Sequence, residues 1–294
     1  MIFGAIDIGS NAVRLLFSNA YEKQNRVMVE KASLIRIPIR LGKDVYKNNT
    51  ISDKRADNLI KTLKAFRLLI DVYKPMAYTA CATAAMREAT NGREIIKRIK
   101  KETGLNIRTI DGLEEAEIIR STESFDLPEG KTKTMFIDLG GGSTEISVIA
   151  DDQVVDARSF KIGTLRILSK KVAKSEWGAM AEWLDSFKED FGRVNVIGSG
   201  GNINKLTKIF GNPVLGRIKL EELENALKYL KSFTLKQRIK ELGLRPDRAD
   251  VIVPAAEVFL FISRIIKAES IHAPKIGLAD GLIHNMYLKH QKKK

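Results

Sequence analysis

The sequence predicts an α/β protein built from two related halves with a cleft between them. Three observations carry this. Segments of strand character alternate with segments of helical period, the pattern of a sheet flanked by helices. The same step occurs twice: Ile6-Asp7-Ile8-Gly9 leads into Ser10-Asn11, and Ile137-Asp138-Leu139-Gly140 leads into Gly141-Gly142. Each follows an apolar strand and feeds a second one, and a repeat after about 130 residues suggests an internal duplication around a cleft. Finally, 294 residues are too many for one ordinary core, because domains usually hold ~100–150.

The elements follow in order. Residues 2–7 form an apolar strand ended by Gly9-Ser10-Asn11, with further strands at 13–20 and 27–39. Ser52 caps a helix running to Tyr73, with Leu59, Leu63, Phe66 and Ile70 on one face, and Pro75 stops it. A strand at 77–81 and a basic helix from Asn91 to Gly104 come next. A short strand at 107–110 and a helix from Asp111 to about Ser124 complete the first half. After the polar stretch 127–133 the pattern restarts with a strand at 134–138, a glycine turn at 139–143, and strands at 145–150 and 154–160. A helix-rich region follows, broken by a strand at 194–197 and the turn Gly198-Ser199-Gly200-Gly201. This alternation predicts a largely parallel sheet with ligands at the strands' C-terminal ends. The expected domains are 1–125, completed by a C-terminal helix at 280–294, and 126–279.

Composition excludes several classes. No run of ~18 uncharged apolar residues is present, so no transmembrane helix is expected. The apolar N-terminus lacks a basic leader segment and is interrupted by Asp7 and Arg14, so it does not read as a signal peptide. Cys81, the single cysteine, cannot form an internal disulfide, and no Cys/His spacing suggests zinc. The expected compartment is the cytoplasm. The net charge of +14 suggests a polyanionic substrate or partner, or else lysine-rich helix faces that supply solubility, such as Lys97, Arg98, Lys100 and Lys101.

The chemistry is concentrated in the turns. Backbone N–H groups can converge on phosphate oxygens, and glycine permits the close approach because no β-carbon intervenes. Gly9-Ser10-Asn11, Gly140-Gly141-Gly142-Ser143 and Ser199-Gly200-Gly201 each meet this need after an apolar strand. The same residues make ordinary turns; three such turns, two beside a strand-terminal aspartate, give the phosphate reading its weight. Asp7 and Asp138 end their strands there, and Glu145 can point back from the following strand. Carboxylates so placed suit Mg²⁺, which bridges phosphate oxygens while retaining water, although an Asp can also simply bond turn N–H groups. Asp111 and Glu114 have capping-box spacing, and Glu115 shares that first helical turn, where an acid also complements the macrodipole. Arg87 follows a strand in an expected loop, and a guanidinium matches phosphate bidentately.

Together these residues identify a resemblance. Asp7 to Asn11 with Val13-Arg14-Leu15, and Asp138 to Glu145, resemble the exopolyphosphatase/guanosine pentaphosphate phosphohydrolase family. The likeness continues through Thr83 to Ala89, Glu114-Glu115-Ala116, Lys161-Ile162-Gly163, Arg248 to Pro254, and Gly277 to Gly281. It implies an actin-like fold of the acetate kinase, Hsp70 and actin type, which is ribonuclease H-like, and Mg²⁺-dependent removal of a terminal phosphate. It places the catalytic glutamate at Glu115, the phosphate-contacting arginine at Arg87, and the magnesium-side acids at Asp138 and Glu145. Ala12, Ala84 and Ala279 depart from the family's usual residues. The chain resembles the short members without C-terminal helical domains, which puts a preference for long chains in doubt.

The resulting expectation is a phosphohydrolase acting on polyphosphate or a phosphorylated guanosine nucleotide. Gly9, Ser10, Asn11, Gly140, Gly141, Gly142, Ser143, Gly200 and Gly201 would bind phosphate; Asp138, Glu145 and Asp7 would hold Mg²⁺. No membrane and no specific nucleic acid is expected as a partner, and a homodimer is left open. The alternatives are a small-molecule kinase of the same fold using ATP, and a non-catalytic polyphosphate or nucleotide sensor.

Overall fold

The computed structural model describes residues 1–24, 26–122, 133–151, 153–190 and 194–292. Residues 124 and 127–132, where the sequence suggests a helix end and a polar connection, lie outside these. The chain divides into two compact units: Met1–Glu123 with Gly277–Lys294, and Ser124–Ile276.

The first unit runs β1 (Ile2–Ile8), β2 (Val13–Lys23), β3 (Arg26–Ile37), α1 (Leu41–Asn48), α2 (Asp53–Tyr73), β4 (Ala77–Ala82), α3 (Ala84–Glu88), α4 (Gly92–Thr103), β5 (Arg108–Thr109) and α5 (Gly112–Arg120). The second runs β6 (Lys133–Leu139), β7 (Thr144–Ala150), β8 (Gln153–Phe160), α6 (Thr164–Leu168), α7 (Lys174–Asp185), β9 (Val194–Ser199), α8 (Gly201–Phe210) and β10 (Arg217–Lys219). It continues with α9 (Leu220–Ser232), α10 (Leu235–Lys240), α11 (Pro246–Ala249), α12 (Ile252–Ile265) and β11 (Ser270–His272). The chain then returns to the first unit as α13 (Leu278–Gln291).

Both sheets have one topology. The first is ordered β3-β2-β1-β4-β5 and the second β8-β7-β6-β9-β11, with β10 added at its edge. In each, the first three strands pair antiparallel and the next two add on parallel. The repeated Asp-Gly step therefore marks a repeated topology, the mixed α/β sheet of the actin-like fold. The expected largely parallel sheet is corrected to a mixed one. Parallel neighbours need a crossover of about a dozen residues, and the connection from Ile8 to Val13 is far too short for one.

Several local signals are taken over by packing. Ser52 does sit at the N-cap of α2, but its hydroxyl donates to Asp44 Oδ2 at 2.5 Å rather than accepting from a helix N–H. The Asn91 side chain instead bonds both the N–H and the carbonyl of Ile51. Gly104, at φ 71°, ends α4 in the left-handed region where glycine costs least. The expected loop around Arg87 is the short helix α3, and α1, with Leu41, Val45 and Tyr46 buried, has no counterpart in the sequence reading. The inner strand β1 is buried along nearly its whole length, as coverage on both faces requires. The core of the second unit gathers Met135, Ile137, Ile146 and Val148 around the apolar α12, where Ala255, Ala256, Val258 and Phe259 are fully buried.

Candidate active site

The two hairpin turns close identically. Gly9 N–H donates to the Ala12 carbonyl at 3.1 Å, and Gly140 N–H donates to the Ser143 carbonyl at 3.0 Å. The N–H groups of Gly9 and Gly140, both expected to bind phosphate, are thus engaged in shaping their turns. In the first unit the turn is also tied to the α1 region: Gly42 N–H reaches the Ser10 carbonyl, Arg40 N–H reaches the Asn11 carbonyl, and Ser10 Oγ shares a 2.8 Å hydrogen bond with the Tyr46 hydroxyl.

The second unit's turn is held differently, by α6. The Gly140 carbonyl accepts from Thr164 N–H, the Gly141 carbonyl from Leu165 and Arg166 N–H, and the Gly142 carbonyl from Arg166 Nε at 2.7 Å. In a trans peptide the N–H points opposite the preceding carbonyl. With three successive carbonyls turned toward α6, the N–H groups of Gly141, Gly142 and Ser143 face the other way, and none has a backbone acceptor among the described residues. Such a row of N–H groups is a nest for an anion. Gly163 makes the clamp possible, since a β-carbon there would lie 2.3 Å from the Gly142 carbonyl carbon.

The third turn adds a cation. Gly200, at φ 104°, precedes α8, and a β-carbon on Gly201 would fall 2.4 Å from the Arg248 guanidinium nitrogens. Arg248 therefore lies directly over the first residue of α8. It entered the sequence reading only as part of a motif, because a basic residue at the start of a distant helix carries no local sign of where its head group goes.

The acids differ between units. Asp7 lies opposite Arg14 in the β1–β2 ladder and forms an ion pair with it. Asp138 lies opposite Glu145 in the β6–β7 ladder, and they are only 6% and 1% exposed. Ser159 Oγ donates to Glu145 Oε1 at 2.8 Å. Two carboxylates side by side in a dry position favour a bound cation or a shared proton. Hard oxygen donors fit Mg²⁺, which commonly takes one or two protein carboxylates and completes its shell with water and substrate phosphate. Among the described residues no group of three or more His, Cys, Asp or Glu could hold a metal alone. With Asp7 paired to Arg14, the metal reading rests on Asp138 and Glu145.

Arg87 and Glu115 come from neighbouring segments of the first unit. Arg87 is exposed on α3, and its Nη1 donates to the Ile110 carbonyl at 2.6 Å, just before α5 begins. Asp111 caps α5 by accepting from Glu114 N–H at 2.8 Å, and Glu115, half-buried, follows in the first turn. The predicted capping box is only half formed, because the Glu114 carboxylate turns away to an ion pair with Arg108. Behind them α13 fixes α5 by backbone contact: a β-carbon on Gly281 would lie 1.9 Å from the Ile118 carbonyl oxygen.

Repeated sheets with glycine turns and acids at their strand ends define the class, an α/β protein of actin-like fold. More particularly, the chain belongs to the Ppx/GppA phosphatase family, whose model matches residues 32–290. It is 30% identical over 276 residues to the bifunctional 3-dehydroquinate synthase/phosphatase of Fusobacterium nucleatum, covering 85% of this chain but 41% of that protein. It is 26% identical to exopolyphosphatase 1 of Mycobacterium leprae, covering 96% of this chain and 88% of that one. An exopolyphosphatase structure from Cytophaga hutchinsonii superposes with a TM-score of 0.82 at 23% identity over 97% of each chain, which speaks for the fold. No helix among the described residues is long and apolar enough to cross a membrane.

Proposed function

We propose that the chain removes the terminal phosphate of inorganic polyphosphate or of guanosine pentaphosphate by Mg²⁺-assisted attack of water. The observation that carries this is the second unit's turn, whose N–H groups at Gly141, Gly142 and Ser143 face away from α6 beside the Asp138–Glu145 pair. The names of the mycobacterial relative and of the Cytophaga structure support polyphosphate in particular.

The turn N–H groups hold phosphate oxygens, and Arg248 with the Gly200-Gly201 turn offers further positive potential. Asp138 and Glu145 would hold Mg²⁺, which when bound offsets the negative charge on the leaving phosphate oxygens. Arg87 steadies the transferred phosphoryl group, and its charge cannot be lost to proton transfer. Glu115 takes the proton of the attacking water, so that hydroxide character develops as the phosphoanhydride bond breaks. The excess of basic residues raises the encounter rate with a polyanion.

The test is phosphate release measured in parallel with polyphosphate, guanosine pentaphosphate, and ATP with sugar acceptors. Release from the first or second, with little from ATP, is expected. Transfer to an acceptor in place of water would make the chain a kinase, and binding without turnover would make it a sensor.

A further inference from the structure

In the first unit, the residues at the C-terminal end of the sheet form a row across four strands. Arg14 on β2 faces Asp7 on β1, Asp7 faces Cys81 on β4, and Cys81 faces Arg108 on β5. Register partners on adjacent strands share a face, and the contacts agree. Arg14 pairs with Asp7, and Arg108 Nη2 lies 3.9 Å from the buried Cys81 Sγ. The other end of the Arg108 guanidinium leaves the row, and its Nη1 pairs with the Glu114 carboxylate. Arg108 therefore bridges the sheet and the first turn of α5.

We propose that Arg108 is a positioning residue that sets the aim of Glu115, an inference that rests on Glu115 being the base. The body of α5 is fixed from behind by α13, through the Gly281–Ile118 approach and the Ser121 Oγ to Asn285 Oδ1 hydrogen bond at 2.9 Å. Its first turn is held from the front, by the Asp111 cap and by Arg108. Adjacent helical side chains diverge by about 100°, so gripping Glu114 fixes the rotation of the turn and with it the direction of Glu115. The grip also holds Glu114 on its own side of the turn and neutralises a carboxylate that would repel an approaching polyanion. Arg87 secures the same segment two residues before α5, through the Ile110 carbonyl. Arg108 and Glu114 are 54% and 35% exposed, and ion pairs so open to water add little to stability. The bridge is better explained by what it aims than by what it stabilises.

The test is a double-mutant cycle read as kcat and KM on the better substrate, with melting followed alongside. Arg108→Ala, Glu114→Ala and the double variant should each lose kcat by the same factor, about 10- to 100-fold, the usual cost of a small misplacement of a reacting group. KM and the melting temperature should hold, and Arg108→Lys should keep most of the rate. Wild-type kcat in Arg108→Ala would overturn the proposal, as would a double variant that loses the product of the single losses. A raised KM at unchanged kcat would make Arg108 a substrate-binding group and would equally refute it. Glu115→Gln, run in the same assay, separates the two readings. Full activity there removes the base assignment and this role with it, whereas a slow Glu115→Gln beside a normal Arg108→Ala removes only the role.

Discussion

At the end of β1 the carboxylate of Asp7 meets Arg14; at the matching end of β6 the carboxylate of Asp138 meets Glu145. The turns beyond them close with the same hydrogen bond and the strands have the same order, so the backbone is common to both. One residue across the ladder decides the charge. The first hairpin sets an acid against a base, while the second sets two buried acids against each other, an oxygen donor set that suits a cation. The clamps differ as well: α6 draws three carbonyls of the second turn to itself, whereas the first turn gives two carbonyls to the Arg40–Gly42 segment. On the proposed function, the duplicated scaffold would be divided between two tasks, metal and phosphate binding in the second unit and water activation in the first.

The largest effect should follow from removing the base. Glu115→Gln is expected to keep the fold and substrate affinity but to lower kcat by about 10²–10⁴, the range for general base catalysis. Steady-state phosphate release with thermal melting checks this, and undiminished turnover would remove water activation from the first unit.

Next comes the clamp. Gly163→Ala would force a β-carbon into the backbone of Gly141 and Gly142, within 2.5 Å of both, at a cost of about 1–3 kcal/mol from overpacking and a raised KM. Gly9→Ala meets nothing closer than the Ala12 carbonyl, at 3.2 Å, and should be milder. Melting curves and KM for the two variants compare the turns directly, and equal effects would contradict the difference in their clamping.

The charge difference can be read from the metal. Asp138→Asn should raise the Mg²⁺ concentration needed for half-maximal rate by at least about tenfold, since even outer-shell changes at metal sites cost that much. Asp7→Asn should leave the requirement unchanged, because Asp7 faces Arg14 instead of a second acid. Full activity in EDTA, or identical metal titrations for both variants, would collapse the distinction. In the same assays added salt should weaken apparent affinity for the polyanion, because exposed charges are screened beyond ~8–10 Å.

The smallest effect concerns another buried acid of the first unit. Burial pushes the Asp280 carboxyl up, against the opposing pull of Lys31. A carboxyl raised on folding holds its proton longer in the folded state, so stability declines as pH rises from the ordinary carboxylate value toward the raised one. Asp280→Asn should flatten that decline in chemical denaturation measured across mildly acidic pH. An unchanged slope would show that Lys31 offsets the burial fully.

Much of this was legible in the sequence. The apolar runs, the Asp-Gly steps and the glycine turns gave both sheets' first strands, whereas the pairing of Arg14 with Asp7 appears only in the fold. Arg87 and Glu115 were reached through motif likeness, since a first-turn acid and a post-strand arginine have ordinary structural uses as well. What stayed hidden depends on partners far along the chain. Ser52 and Asn91 look like helix caps, yet their side chains serve tertiary contacts. Arg108 shows nothing locally of its bridge, which joins Cys81, 27 residues earlier, to Glu114.

By itself the sequence determined where the two Asp-Gly turns fall and where the strands leading into them end, because φ freedom at glycine and apolar periodicity act over a few residues. Tertiary structure alone decided which of those groups remain available for chemistry. Gly141, Gly142 and Ser143 present their N–H groups because Arg166, 24 residues beyond Gly142, and its neighbours take the carbonyls. A backbone dipole has two ends, and only the packed fold settles which of them is left for a ligand.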